Sequence, residues 1–111
     1  MTADQESIQE AIGVLLDYAP EGSKVILFGS YARDAAEPSS DIDFLVVEPN
    51  LDDRIREAAR LRIAVHSVLR RFMIPVDILV LSTAEFERWR HAPNTIYHHA
   101  AKEGRVHERV A

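Results

Sequence analysis

Three apolar runs, at 24–28, 41–47 and 75–81, most constrain what this chain can fold into. Each is too short for a stable helix, which typically needs about 10 residues or more, and each reads as a buried strand. Breakers close them: Gly29-Ser30 ends the first and Pro49-Asn50 the second. Between them the apolar spacing changes to three and four. Ile8, Ala11, Ile12, Leu15 and Leu16 predict a helix over 4–18, ended by Pro20 and Gly22. Ile55, Ala58, Leu61, Val65, Val68 and Phe72 predict the longest helix, over 51–72. Shorter helices are predicted over 83–90 and from Asn94 to Glu103, and Tyr31 to Ala36 can form a turn or two of helix. The expected caps are a Thr2–Gln5 box, Asn50, a Ser82–Glu85 box and Asn94, with Gly104 as a left-handed stop. Arg105 to Glu108 can add an edge strand. The order predicts an α/β domain over 1–111, a small mixed sheet with flanking helices.

Composition narrows the function. The chain has 111 residues and no cysteine, so disulfides, thiolate zinc sites and Cys nucleophiles are excluded. Thirteen Lys and Arg against eighteen Asp and Glu give 13 − 18 = −5, which argues against gripping a nucleic-acid backbone. The apolar runs are too short to span a membrane, and the polar start is unlike a signal peptide, so the expected compartment is the cytoplasm. His66, His91, His98, His99 and His107 show no zinc-ligand spacing. Phe86, Trp89 and Tyr97 read as packing residues, and the arginines of the 51–72 segment as a solvated face.

The acids inside the strand runs carry the chemistry. Asp43 lies between Ile42 and Phe44, Asp77 lies between Val76 and Ile78, and Asp41 opens its run two residues before Asp43. Asp is disfavoured in strands, and a buried carboxylate costs several kcal/mol unless paired. The strand period of two puts Asp41 and Asp43 on one face. If the third strand lies beside the second, Asp77 converges on them. Crowded carboxylates raise one another's pKa, and a hard divalent cation such as Mg²⁺ relieves the conflict. The alternative is that each acid pairs with an arginine or sits at a solvated strand end.

Phe28-Gly29-Ser30 stands ten residues before Asp41. A strand running into Gly-Ser can offer backbone N–H groups and a hydroxyl to a phosphate. A phosphate cradle beside a carboxylate cluster is the combination that phosphoryl and nucleotidyl transfer use.

These residues, Phe28-Gly29-Ser30 and then Asp41-Ile42-Asp43-Phe44 with a later Asp77, resemble the nucleotidyltransferase superfamily of DNA polymerase beta. Gly29-Ser30-Tyr31-Ala32-Arg33 and Ser40 to Val46 look most like the minimal nucleotidyltransferases of prokaryotes, often antitoxins paired with a HEPN-domain ribonuclease toxin (type VII). Lys102 to Val106 also resembles the end of such proteins. The resemblance implies that Gly29 and Ser30 hold nucleotide phosphates, with Arg33 in the same loop. It implies that Asp41 and Asp43 bridge two Mg²⁺ ions, and that Asp77 holds the catalytic ion and helps to activate the attacking hydroxyl. One position departs: Asp34 stands where many members carry Gly, adding negative charge near the expected triphosphate.

The function implied is AMP transfer from ATP to a tyrosine of the HEPN toxin. Little chain is left over for an acceptor domain, so the acceptor is expected to be another protein. The alternatives are a non-catalytic antitoxin that neutralises by contact and a nucleotide or metal sensor.

Overall fold

The computed structural model describes residues 3–37 and 40–109. The order is α1 (Gln5–Tyr18), β1 (Lys24–Phe28), β2 (Ile42–Glu48), α2 (Arg54–Leu69), a 3₁₀ turn (Arg70–Phe72), β3 (Val76–Ser82), α3 (Thr83–Trp89), α4 (Ile96–Glu103) and β4 (Arg105–Glu108). The sheet order is β3-β2-β1-β4. β1 pairs antiparallel with β2 and β4, and β2 pairs parallel with β3, so the sheet is mixed as expected. The parallel pair needs a long crossover, which α2 supplies.

The central strands are buried on both faces, which is why their sequences run apolar without strict alternation. On one face Val25, Leu27, Ile42, Phe44, Val46 and Val80 pack against Ile8, Ala11, Ile12 and Leu15 of α1 and Leu61, Val65 and Leu69 of α2. On the other, Ile26, Phe28, Leu45, Val47 and Leu81 meet Phe86 of α3 and Ala100 of α4. Each large side chain buried this way contributes roughly 1.5–3 kcal/mol.

Several boundaries depart from expectation. Asp4 caps α1, accepting from the Ser7 N–H at 2.7 Å, while Thr2 lies outside the described residues. Asp53 rather than Asn50 caps α2, because its carboxylate reaches the Arg56 N–H at 3.1 Å. Thr95 caps α4, and Asn94 before it takes a left-handed φ of 66°. The Ser82–Glu85 box forms as predicted. Tyr31 to Ala36 is not helical: the Ala32 and Arg33 N–H groups donate to Gly29 and Ser30 carbonyls, and Asp34 at φ 54° breaks the helical path. Ile55 is outside the core, since the face of α2 that meets the sheet carries Leu61, Val65 and Leu69 instead. Gly104 ends α4 at an extended φ of −75°, not a left-handed one. Its lack of a side chain serves close approach: a Cβ there would run into Ile26 and the Ala100 carbonyl.

Candidate active site

The N-terminal ends of β2 and β3 and the C-terminal end of β1 meet at one end of the sheet. In the parallel register Asp43 stands opposite Asp77, and in the antiparallel register it stands opposite Phe28. Strand alternation sends Asp43 and Asp77 to the face shared by Leu45 and Leu79, the side covered further along by α3 and α4. Asp41 immediately precedes β2 and is exposed, and Asp77 is exposed as well. Asp43 is half-buried.

Burial, followed by the charges of Asp77 and Asp41 and a hydrogen bond with Asp77, pushes the Asp43 carboxyl up to about 6, against a smaller opposing effect of Arg33. The structure therefore brings all three predicted acids into one electrostatic neighbourhood, with Arg33 at its margin. Among the described residues no three His, Asp or Glu side chains already close on a common point. The acids stand as neighbours and offer hard carboxylate oxygens, the donor type that Mg²⁺ takes.

Gly29 sits directly against this cluster. Its φ of 76° is left-handed, and a Cβ there would collide with Asp43 Oδ2. Both requirements exclude an L side chain, and they bind the turn to the carboxylate. Ser30, half-buried, follows, and its carbonyl accepts from the N–H groups of Arg33 (3.2 Å) and Ala35 (2.9 Å), which winds the loop tightly. Tyr31 is buried, and its hydroxyl accepts from the Ala3 N–H at 3.1 Å, so it packs and does not reach the acids. A cavity of about 210 Å³ between α1 and this loop, lined in part by Gln9, Tyr31 and Asp34, contains none of the three acids.

Two ion pairs hold the loop to the end of the chain. Arg33 Nη1 donates to Glu103 Oε2 at 3.2 Å, and Arg105 Nη2 donates to Asp34 Oδ2 at 2.9 Å. Neither pair was legible from the sequence, because the partners lie 70 and 71 positions apart. Asp34 thus occupies a backbone conformation that favours Gly, and the charge it adds is matched by Arg105. Of the histidines, His98 Nδ1 bonds the Arg90 carbonyl at 2.8 Å, His66, His91 and His99 are exposed, and His107 on β4 is half-buried. Trp89 and Tyr97 pack ring to ring at 6.3 Å between centroids.

One buried acid escaped sequence reasoning. Glu48 closes β2, lies 2% exposed, and is pushed up to about 8 by burial and then by Glu57. Glu57 is held down to about 2, chiefly by its hydrogen bond with Arg60. This pair sits at the end of β2 opposite Asp43.

Residues 8–102 match the family model described as "Nucleotidyltransferase domain". No curated protein matches the chain. Among solved structures, a toxin-antitoxin crystallised with AMP-PNP is similar with a TM-score of 0.60 at 20% identity, covering 94% of this chain and 72% of that one. A tyrosine-to-alanine mutant of the toxin-antitoxin MntA-HpeT gives 0.61 at 19% identity, covering 98% and 75%. A double aspartate-to-glutamate mutant of the same complex gives 0.57 at 18%, covering 94% and 71%. At these identities the likeness shows a shared fold.

Proposed function

The chain belongs to the nucleotidyltransferase-domain family, and from that premise we propose that it transfers AMP from ATP to a tyrosine hydroxyl of a HEPN-domain ribonuclease toxin, acting as its antitoxin. The observation that carries this reading is Asp43 standing opposite Asp77 beside the Gly29-Ser30 turn. The protein partner is supported by neighbours that are toxin-antitoxin complexes, and ATP by the one that holds AMP-PNP, an ATP analogue. A Mg-ATP reaction on a toxin inside the cell belongs to the cytoplasm, and no helix among the described residues is long and apolar enough to cross a membrane.

In this reading Asp41, Asp43 and Asp77 hold two Mg²⁺, which supply Lewis acidity toward the attacking hydroxyl and charge relief for the departing pyrophosphate. The rest falls to the chain's own groups. The turn at Gly29 and the Ser30 hydroxyl receive phosphate oxygens, and Arg33 adds positive charge at the rim. The tyrosine oxygen forms a bond to the α-phosphorus as the bond from that phosphorus to the β-phosphate oxygen breaks. Asp77 takes the hydroxyl proton toward solvent.

The test is incubation of the chain and its HEPN partner with α-labelled ATP and Mg²⁺, read by intact mass. Addition of AMP to the partner is expected. An unmodified partner, with both proteins folded, overturns the reading.

A second reading is neutralisation by contact alone. It is favoured by one observation: Arg33 is already engaged by Glu103. The Asp41→Asn, Asp43→Asn double variant separates the two. Neutralisation that persists in it makes catalysis dispensable.

A further inference from the structure

The outward face of α2 carries apolar side chains that the fold leaves uncovered. Ile55, Ala59 and Ile63 recur four residues apart, and Ile55 and Ile63 are 82% and 76% exposed. Met73, just past the helix, is 91% exposed. It also holds a left-handed φ of 53°, a conformation strained for a bulky L residue that a glycine would avoid. Beside it lies a cavity of about 180 Å³, with Val65, Leu69, Ile74 and Val76 inside and Arg62 and Arg70 among its lining residues. That is room for one inserted apolar side chain, the arrangement found at interface anchors.

The charge on this face changes along the helix: Asp52, Asp53 and Glu85 border Ile55 at its start, and arginines take over toward Ile63 and Met73. Arg54, Arg60 and Arg71 are engaged by Glu85, Glu57 and Asp4. Arg56, Arg62 and Arg70 are exposed and make no ion pair among the described residues. A chain of net charge −5 therefore presents a cationic, partly apolar surface at the C-terminal half of α2, around Ile63, Arg62, Arg70 and Met73. Nucleic acid would use the arginines and leave the isoleucines in water, whereas a protein helix with apolar residues flanked by Asp or Glu satisfies both.

We propose that the outer face of α2, with Met73 and the adjoining cavity, is the docking surface for an acidic amphipathic helix of the partner protein. This rests on the reading above in taking the HEPN toxin as that partner. It places docking on the face of the sheet opposite the acids, so binding and transfer use different surfaces.

The experiment measures the affinity of the purified chain for its HEPN partner by calorimetry, for wild type, Ile63→Glu and an Arg62→Glu, Arg70→Glu double variant. All three positions are exposed, and thermal melting verifies the fold. Partner binding is expected to weaken at least tenfold in both variants, with ATP binding unchanged. Wild-type binding that both variants retain overturns the docking surface while leaving the transfer reaction standing. Binding lost in the variants without any AMP transfer by wild type overturns the reaction and keeps the surface. No wild-type binding overturns both. A labelled single-stranded RNA that binds wild type and not the arginine variant, or a wild-type homodimer that Ile63→Glu dissociates, also overturns the acidic-helix assignment.

Discussion

Asp43 lies directly opposite Asp77 across the parallel β2–β3 pair, with the Gly29 backbone pressed against its carboxylate. Two carboxylates share one patch, and the half-buried one is pushed to about 6. Asp77→Asn should lower the Asp43 pKa, though not to 3.8, because burial is the largest cause and remains. Mg²⁺ added to wild type should lower it as well. Carboxyl-carbon NMR titration, with and without EDTA, reads both. An Asp43 titration unmoved by Asp77→Asn would mean the two groups are not coupled.

Gly29→Ala should destabilise the fold by about 1–3 kcal/mol, because it adds a left-handed Ala and a collision. The two parts separate in a double-mutant cycle. In an Asp43→Ala background the collision with Oδ2 is gone and only the backbone cost remains, so the penalty should shrink. Equal penalties in urea denaturation of both backgrounds would dismiss the contact.

Asp34 offers the opposite case. Its φ of 54° carries strain that Gly would relieve, and its ion pair with Arg105 is exposed. Exposed pairs contribute little. Asp34→Gly should therefore leave the melting temperature unchanged or slightly raised, whereas Asp34→Ala, which keeps the strain and loses the pair, should lower it.

Glu48 makes stability depend on pH. Its carboxyl titrates near 8 in the folded chain against 4.5 ordinarily, so the folded state holds a proton that the unfolded chain has released. As pH rises past about 4.5 the wild type loses stability relative to a neutral side chain, and the loss levels off above about 8. Glu48→Gln keeps an amide donor for Glu57 and removes that dependence. It should be near neutral at pH 4.5 and stabilising by on the order of 1–3 kcal/mol at pH 8. A Glu48→Gln gain that is the same at both pH values would show that burial of the charge is not its source.

The Asp41→Asn, Asp43→Asn variant should lose AMP transfer by at least a hundredfold while keeping partner affinity within twofold, since the proposed docking face lies on the other side of the sheet. Intact mass and calorimetry on the same preparation provide both numbers.

Local signals were legible where a short stretch of chain determines them. The strand runs, the Ser82–Glu85 box and the edge strand after Gly104 all follow from neighbouring residues. Asp34 and Met73 illustrate the limit. At Asp34 the only signal is the Gly that many members of the resembled family carry there, and at Met73 no neighbouring residue marks the left-handed backbone. Ile55 illustrates another: its spacing fits the apolar stripe of α2, yet it lies on the outward face, because Leu61, Val65 and Leu69 are the residues that meet the sheet.

The sequence by itself determined the alternation of helix and strand, the α/β class and the presence of acids within strands 2 and 3, because periodicity and breakers act within a few residues. Only the tertiary structure decided that β3 lies beside β2 with Asp77 at the level of Asp43, that Arg33 and Asp34 are held by Glu103 and Arg105, and that Ile55 and Ile63 face outward. Strand register and the choice of a helix's buried face are settled by packing between distant segments. Two carboxylates 34 positions apart become one site only after the crossover through α2 has been made.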